Sequence, residues 1–534
     1  MFKRFTRLIK TLTVRRKGAP IRPVPPGTHT THKLTGACTH KNVNQLLAKS
    51  FDILFRDFYI EGKEKIAAHL ICVDGMVNKE VLNDFVLKTL MIQAQTKPVL
   101  ARLTLDNALE TVFSYLLATN EVRKENSLAS AVDSILSGDA ALFFGDQAGA
   151  LIIGSRGWEN RGVQEPVAES VVRGPREGFS ETVRVNTSLL RRKIKSPDFV
   201  MKPLKVGELT RTDIVIAYIQ GVANDKILRE LENRLSAINI DGVLESGYIE
   251  ELIEDVPYSP FPQVYHTERP DVVAAEILEG KIAVLVDGTP FTLVVPGLFI
   301  MFLQVSEDYY ERPYTAILVR LIRLIGVLIA LLLPSLYIAL TTFHQEMIPT
   351  FLALSIASGR DGVPVPAVIE ALEMEVTLEI LREAGLRLPR PIGQAIGIVG
   401  ALVIGDAAVS AGLVSPIMVI IVSLTAIASF TTPSFNMGIT IRLLRFPLML
   451  AASTLGFFGI SLFFYGLLLH LCSLRSFGIP YFSPFGPGNL YDLLKDTVVR
   501  SPWWAMRTRP RMGAKTSAEY SSSGSLKELE EEPS

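Results

Sequence analysis

Carboxylates at helical spacing are the residues of this chain best suited to bind an ion. They lie in residues 364–384, a strong helix-forming segment that begins with a proline. At 100° per residue, Glu375, Glu379 and Glu383 share one face of that helix. Like charges four residues apart repel one another by roughly a few tenths of a kcal/mol in an isolated helix. We therefore expect cations or arginines to neutralise this row.

A second polar face of the same helix carries Glu370 and Glu373. In a symmetric oligomer, one such helix from each subunit would form rings of carboxylates, and such rings line cation-selective channels. We take Glu375 and Glu379 as the first candidates for an ion path, with Glu370 and Glu373 as the alternative face. The competing interpretation is a solvated helix that packs on the surface of a bundle.

Enzyme motifs are missing from the sequence. It contains no P-loop, GxGxxG, HExxH or GxSxG in a suitable context. The three cysteines, Cys38, Cys72 and Cys472, are far apart and have no CxxC spacing, so neither a disulfide framework nor a zinc site is predicted. We predict no catalytic residues, no enzyme activity, no cofactor, no metal site and no nucleic-acid partner.

The charged front half of the chain changes near Pro313 into a mostly apolar back half. About 20 apolar helical residues cross the hydrocarbon core of a bilayer. Four runs are candidates for spans: Ile317–Leu340, Ile392–Val414, Pro416–Thr432 and Phe446–Leu474. Basic residues flank the first run and follow the last, so both ends are predicted to be cytoplasmic, which an even number of spans satisfies. Arg442 and Arg445 would then lie outside, against the rule.

The second apolar run has one small residue every four. Gly393, Gly397, Ala401 and Gly405 would form a stripe that allows close helix packing. Asp406 follows that stripe and is a further ion-path candidate, because acidic residues inside membranes are usually functional. A transporter would use this acid and the glycine-rich span as its site, but about four spans without an inverted repeat are few for that class.

Three positions are candidate hinges for a gate. Pro334 interrupts the first apolar run and predicts a kink. Gly359 and Gly362 lie in a short loop before the acidic helix and would allow it to bend.

The front half alternates between helix and strand patterns, which predicts an α/β or α+β region in two lobes followed by an all-α polytopic membrane bundle. Hairpins are predicted at Ala140–Ile153 and at Ile282–Val295, where Asp287-Gly288 favours a tight turn. The predicted organisation is a basic, disordered or membrane-surface tail (1–44), two cytosolic lobes (45–180 and 181–300), a membrane bundle (301–474) and a cytosolic C-terminal segment with a disordered tail (475–534).

The segment between the lobes contains Arg173-Gly174-Pro175-Arg176-Glu177. Its guanidiniums could bind a carboxylate or phosphate through forked hydrogen bonds. An Arg–Glu network that fixes the two lobes is the favoured interpretation, so Arg173, Arg176 and Glu177 are predicted to act in lobe contacts or assembly.

Long motifs across residues 45–490 resemble the A-subunit family of GerA-type bacterial spore germination receptors. The motifs are RGPREGF from Arg173, VDGTPF from Val286, EDYYERP from Glu307, HQEMIPT from His344, the segment Glu370–Gly412 and TAIASFTTP from Thr425. The resemblance implies a multi-pass protein of the spore inner membrane in contact with membrane lipid. It also implies a transporter-like B-subunit and a lipoprotein C-subunit as partners, and a homo-oligomer, expected to be a pentamer, that opens as a nutrient-gated cation channel.

Two alternatives stay open within and beside this family. One is the related AF-type stage V sporulation protein, a channel that amplifies germination. The other is a non-conducting membrane scaffold or signal-relay subunit, in which the front half serves as a docking platform.

Overall fold

The protein, described by a computed structural model, consists of two β-sheet lobes followed by a helical bundle. The described residues are 36–61, 63–92, 103–117, 119, 121–157, 165–166, 169–387, 405–486, 496–497 and 499–503. The strands are β1 Ile53–Glu61, β2 Lys65–Val73, β3 Val122–Glu125, β4 Ala140–Phe144, β5 Ala150–Ile153, β6 Phe199–Val206, β7 Thr212–Ile219, β8 Tyr265–Thr267, β9 Ile282–Val286, β10 Thr292–Val295, β11 Arg475–Ser476 and β12 Ile479–Pro480.

The described helices differ widely in length, and the longest of them belong to the bundle. They are α1 His40–Leu47, α2 Lys88–Met91, α3 Ala108–Thr111, α4 Leu128–Leu136, α5 Val183–Lys193, α6 Asp225–Ala237, α7 Ser246–Ile253, α8 Pro270–Leu278, α9 Glu307–Tyr310, α10 Pro313–Thr342, α11 Thr350–Arg360, α12 Ala367–Arg387, α13 Gly405–Ser410, α14 Pro416–Ser429 and α15 Phe435–Ser473. Single turns of 3-10 or π type lie at Val81–Leu87, Leu105–Asn107, Val112–Leu116, Phe299–Leu303 and Gln345–Met347.

Each lobe is a five-stranded sheet with helices packed against it. The strand order is β1-β2-β4-β5-β3 in lobe 1 and β6-β7-β9-β10-β8 in lobe 2. Every strand pair in the described parts of the two lobes is antiparallel, so α+β is the correct one of the two predicted classes. Both predicted hairpins are present, and Gly288 takes the left-handed conformation that the Asp-Gly turn requires (φ +90°).

The two lobes are copies of one topology. Along the chain, each lobe has a helix, an antiparallel pair of strands, further helices, a third strand, another helix and a buried hairpin. The order of the strands in the sheet is the same in both lobes. The copies also share their turns: Gly75 (φ +79°) follows β2 and Gly221 (φ +83°) follows β7. Three residues later, the side chains of Asn78 and Asn224 accept hydrogen bonds from the N-termini of the following helices. The front half therefore repeats one arrangement of strands and helices twice.

Two helices of the bundle are long and apolar enough to cross a membrane. They are α10, with 30 residues and a mean hydropathy of 2.6, and α15, with 39 residues and a mean hydropathy of 1.9. They cover the first and fourth predicted spans. The third predicted span is the 14-residue helix α14, about 21 Å long and too short to cross alone. The second lies mostly outside the described residues. The first predicted span thus corresponds to α10, whereas the fourth, Phe446–Leu474, lies in α15 and is interrupted at Gly456, so four spans are not confirmed.

Helix α15 is a hairpin of two helical limbs. Gly456 has non-helical angles (φ 59°, ψ −137°) and divides it into residues 435–455 and 457–473. Thr440 on the first limb donates to the carbonyl of Pro260, and His470 on the second lies 3.0 Å from Ser259. Because both limbs reach adjacent residues of lobe 2, they lie side by side and run in opposite directions.

The fold-back at Gly456 predicts a strict requirement for glycine at position 459. A methyl group there would overlap the backbone carbonyl of Ala451 on the other limb, so we expect Gly459→Ala to destabilise the protein by about 1–3 kcal/mol. Gly466→Ala is the matched control, since its methyl would meet no atom within 4 Å. Thermal unfolding in detergent measures both. Equal unfolding midpoints for the two variants would contradict the hairpin.

Candidate functional site

Helix α12 carries the candidate carboxylates into the interior of the bundle. The side chain of Glu370 is fully buried and accepts hydrogen bonds of 2.5 Å from both the backbone N–H and the hydroxyl of Ser415, which caps α14. Its other oxygen lies 3.7 Å from the guanidinium of Arg360 at the end of α11. Glu370 therefore joins three helices and does not face solvent within the single chain.

Glu375 forms a buried ion pair with Arg445. Both side chains are 1% exposed, and Arg445 Nη1 lies 2.5 Å from Glu375 Oε2. The same guanidinium donates to the carbonyl of Ala330 on α10 (2.7 Å) and to the hydroxyl of Ser429 on α14 (3.0 Å). One arginine of α15 thus ties the acidic helix to three neighbours, which is the neutralisation that the row of like charges requires.

Glu379, one turn further toward the C-terminus of α12, also pairs with arginines. Its Oε1 lies 2.9 Å from Arg382 on the same helix and 3.1 Å from Arg442 on α15. Arg442 and Arg445, which contradict the positive-inside rule in the sequence, are therefore internal cations with carboxylate partners. The two first candidates for the ion path, Glu375 and Glu379, bind arginines of their own chain.

An exposed stripe runs along the opposite side of α12. It contains Glu373 together with Ile369, Val376 and Ile380, which are 42%, 46% and 63% exposed. Glu373 has no side-chain ion pair among the described residues, whereas Glu383, further along, pairs with Arg387. The stripe is the face that α12 offers to lipid, to water or to another subunit.

Some acceptor capacity of the buried glutamates is unused. Glu370 Oε2 and Glu375 Oε1 have no hydrogen-bond donor among the described residues, and the hydroxyl of Ser335 on α10 is buried without a partner as well. Unpaired polar atoms cost free energy in an apolar interior. These three unpaired atoms add to the polarity that the ion pairs give the interior of the bundle.

The remaining candidates of the sequence are dispersed. Asp406 lies exposed on α13 beside the buried Gly405, while Gly393, Gly397 and Ala401 lie outside the described residues. Pro334 is buried inside α10. Gly359 belongs to the last turn of α11, and Gly362 follows it with its carbonyl 3.0 Å from where a Cβ on Gly412 would lie. These positions do not form one site.

The three residues that were predicted to hold the two lobes together do not lie between the two sheets. Arg173 is 3.6 Å from Glu311, near the start of the bundle, and Arg176 is 3.7 Å from Glu165 within the connecting segment. Glu177 lies 3.4 Å from Arg192 and Lys193 on α5 of lobe 2. These residues hold the connecting segment against lobe 2 and the start of α10.

A buried ion pair that the sequence did not point to joins the two lobes. Arg191 on α5 donates to both oxygens of Asp52, which precedes β1, at 2.7 and 2.9 Å, and to the hydroxyl of Ser50 at 2.9 Å. The side chains of Arg191 and Asp52 are 1% and 3% exposed. Their separation of 139 residues explains why no local pattern indicated the pair.

A second buried cluster joins the base of α10 to α9 and to the C-terminal segment. Arg320 and Arg323 each place a guanidinium nitrogen 3.0 Å from Asp308 Oδ2. Arg320 also lies 3.2 Å from Asp496, whose side chain accepts a hydrogen bond from the hydroxyl of Tyr309. The two arginines that flank the first span in the sequence are therefore internal, and they connect the C-terminal segment with the base of α10.

An acidic cavity of about 300 Å³ separates lobe 2 from the base of α15. Glu250, Glu251 and Glu254 line it from α7 and its C-terminus, opposite Asn436 and Thr440. Burial, and to a smaller extent the charges of neighbouring carboxylates, raise the pKa of Glu254 to about 7, against the hydrogen bond from the N–H of Gln263. This carboxyl group therefore titrates near neutral pH.

We expect the stability of the protein to fall as the pH rises from about 5 to 8, in part through Glu254. Between its ordinary pKa and about 7 the folded protein retains a proton that the unfolded chain has released, so raising the pH favours unfolding. The difference should be of the order of 1 kcal/mol, since solvent screens this partly exposed group. Unfolding midpoints at pH 5 and pH 8 should differ less in Glu254→Gln than in the wild type. Identical pH dependence in Glu254→Gln, Glu251→Gln and the wild type would refute this assignment.

Comparisons with known proteins agree over most of the chain. Residues 41–512 match the family described as Bacillus/Clostridium GerA spore germination protein. The chain is 45% identical to spore germination protein KA of Bacillus subtilis over 469 residues, which are 88% of this chain and 85% of that protein. It is 47% identical to the uncharacterized membrane protein YfkQ of B. subtilis over 472 residues, 88% of this chain and 90% of that one. The N-terminal domain of the A subunit of the Bacillus megaterium spore germinant receptor GerK3 is 36% identical, with 48% of this chain and 93% of that domain covered and a TM-score of 0.38.

Proposed function

Since this chain belongs to the Bacillus/Clostridium GerA family of spore germination proteins, we propose that it is the A-subunit of a spore germinant receptor and that copies of it form a nutrient-gated cation channel. It would lie in the spore inner membrane and work with a transporter-like B-subunit and a lipoprotein C-subunit. The lobes would transmit nutrient detection to the bundle. No enzymatic step is needed, because ions move down their own gradient.

The observation that carries the channel proposal is the exposure of Glu373. This residue lies on α12 between Glu370, which accepts from Ser415, and Glu375, whose partner Arg445 donates to the carbonyl of Ala330. Ala330 lies in the middle of α10, so Glu373 is level with the apolar part of that helix. A carboxylate at bilayer depth is costly against lipid and is usually found facing water. A water-filled path between copies of α12 would accommodate it.

The described ends of the bundle support both termini on one side of the membrane. The N–H of Gly297, before α10, donates to the hydroxyl of Ser476, after α15, at 3.1 Å. The N–H of Phe299 donates to the carbonyl of Tyr481 at 3.0 Å. Because the chain enters and leaves the bundle beside lobe 2, these contacts favour an even number of crossings, and we propose that the lobes and both termini lie in the cytoplasm.

Potassium flux through proteoliposomes tests the proposal. The liposomes would contain the full chain with its B- and C-subunits, and the nutrient would be added outside. We expect Glu373→Gln to reduce flux or the preference for potassium over chloride, since a ring of these carboxylates would attract cations. The control is Glu346→Gln, an exposed glutamate in the turn after α10.

The outcomes separate the alternatives. Unchanged flux in Glu373→Gln would remove this residue from the ion path. The same assay on Glu375→Gln/Glu379→Gln tests the other acidic face, and a loss there must be compared with the amount of folded protein because those side chains hold the bundle together. A correctly assembled wild type without flux would leave a scaffold or signal-relay subunit as the function.

A further inference from the structure

Three side chains that commonly bind metals converge on the surface of lobe 1. His40 begins α1, and Asp57 and His69 face each other across the β1–β2 ladder. Each offers one atom that can bind a metal ion, and these atoms lie within 4.8 Å of one another. The two imidazole rings are stacked, with their centres 3.8 Å apart and their planes 11° from parallel. Asp57 Oδ1 lies 2.7 Å from His69 Nδ1.

Packing and charge prepare this cluster for a cation. The side chains of His69 and Asp57 are 18% and 69% exposed, so the cluster has a buried wall and an open side. Phe143 on the neighbouring strand borders the ring of His40 at 6.4 Å between centres. Asp57 supplies the negative charge.

The types of the three ligand atoms indicate which class of metal ion would bind. Two imidazole nitrogens and one carboxylate oxygen suit Zn²⁺ and similar divalent transition metals, whereas Mg²⁺ and Ca²⁺ prefer oxygen ligands throughout. Zinc–nitrogen bonds of about 2.0–2.1 Å in a tetrahedron hold the ligand atoms about 3.3 Å apart. Because an imidazole binds a metal in the plane of its ring, the two rings must turn out of their parallel stack before both nitrogens can reach one ion. The open side of the cluster gives them room to turn and leaves a position for water.

We propose that lobe 1 binds one divalent transition-metal ion, with zinc as the best match, through His40, Asp57 and His69. The ion would fasten the start of α1 to the long β1–β2 hairpin. The site is independent of the proposed channel. No metal site is predicted from the sequence, because these ligands form no short motif. They are 17 and 12 residues apart and belong to three different elements.

Zinc titration of the full chain in detergent micelles, in competition with a chelating dye, tests this site. We expect one zinc ion per chain above any weaker background, and an affinity at least about tenfold lower in His69→Gln and in His40→Phe. The phenylalanine keeps a ring in the stack while removing the ligand. His266→Gln in lobe 2 is the control, because His266 faces Glu250 away from the cluster.

A second measurement covers the case in which a variant folds poorly. Co²⁺ bound by a nitrogen–oxygen set absorbs visible light, and the wild-type spectrum should be lost on adding zinc and be absent in Asp57→Asn. Unfolding midpoints in a metal chelator show whether each variant is folded. Zinc affinity and cobalt spectrum that are the same in wild type and in a folded His40→Phe would overturn the proposal.

Discussion

Replacing Arg445 by methionine is expected to destabilise the helical bundle by about 3–5 kcal/mol. The substitution leaves the carboxylate of Glu375 buried without its cation, and an uncompensated buried charge is among the most costly defects in a protein. It also removes the hydrogen bonds to Ala330 and Ser429 that connect α10 and α14 with α15. The unfolding midpoint in detergent and the amount of protein in isolated membranes measure the effect.

The double variant Arg445→Met/Glu375→Leu tests whether the unpaired carboxylate causes this loss of stability. Replacing both members of a buried ion pair by apolar side chains of similar volume is often neutral, so most of the lost stability should return. Glu383→Gln is the surface control, because Glu383 and Arg387 are 60% and 80% exposed and their pair should contribute less than about 1 kcal/mol. A double variant as unstable as Arg445→Met would show that the ion pair is not the cause.

Asp52→Ala is expected to cost a similar 3–5 kcal/mol in the coupling of the two lobes. It leaves the guanidinium of Arg191 buried between them and removes both of its carboxylate contacts. Hydrogen exchange on the full chain should become faster in α5 and in β6, whose residue Met201 also donates its N–H to the Ser50 hydroxyl.

Two observations would show whether that effect is specific. Asp146→Ala removes an exposed pair with Lys41 in the same lobe, and it should leave exchange in α5 unchanged. The helices of the bundle should exchange alike in all three proteins. Protection of α5 that is equal in Asp52→Ala and in the wild type would mean that apolar packing, not this ion pair, holds the lobes together.

Local patterns in the sequence were sufficient for the local structure. The Asp287-Gly288 turn fixes its hairpin because its own backbone angles decide the register, and Pro270 begins α8 because a proline fits the first turn of a helix. The acidic faces of α12 followed from its helical period in the same way. None of these depends on a residue more than about ten positions distant.

What could not be read from the sequence depends on distant partners. Glu375 and Arg445 are 70 positions apart in the chain, so no local pattern indicated their ion pair. The break of α15 at Gly456 gives no signal in a run that stays apolar on both sides of it. The common topology of the two lobes is visible only in strand order and in a few turn residues, such as Gly75 and Gly221.

Both limbs of the α15 hairpin are bound to the same loop of lobe 2, which limits how they can move. Ser259 and Pro260 hold both limbs at once, through His470 and Thr440. A displacement of this loop would therefore move both limbs together. Arg445 on the first limb would pass that displacement to Glu375 and so to helix α12.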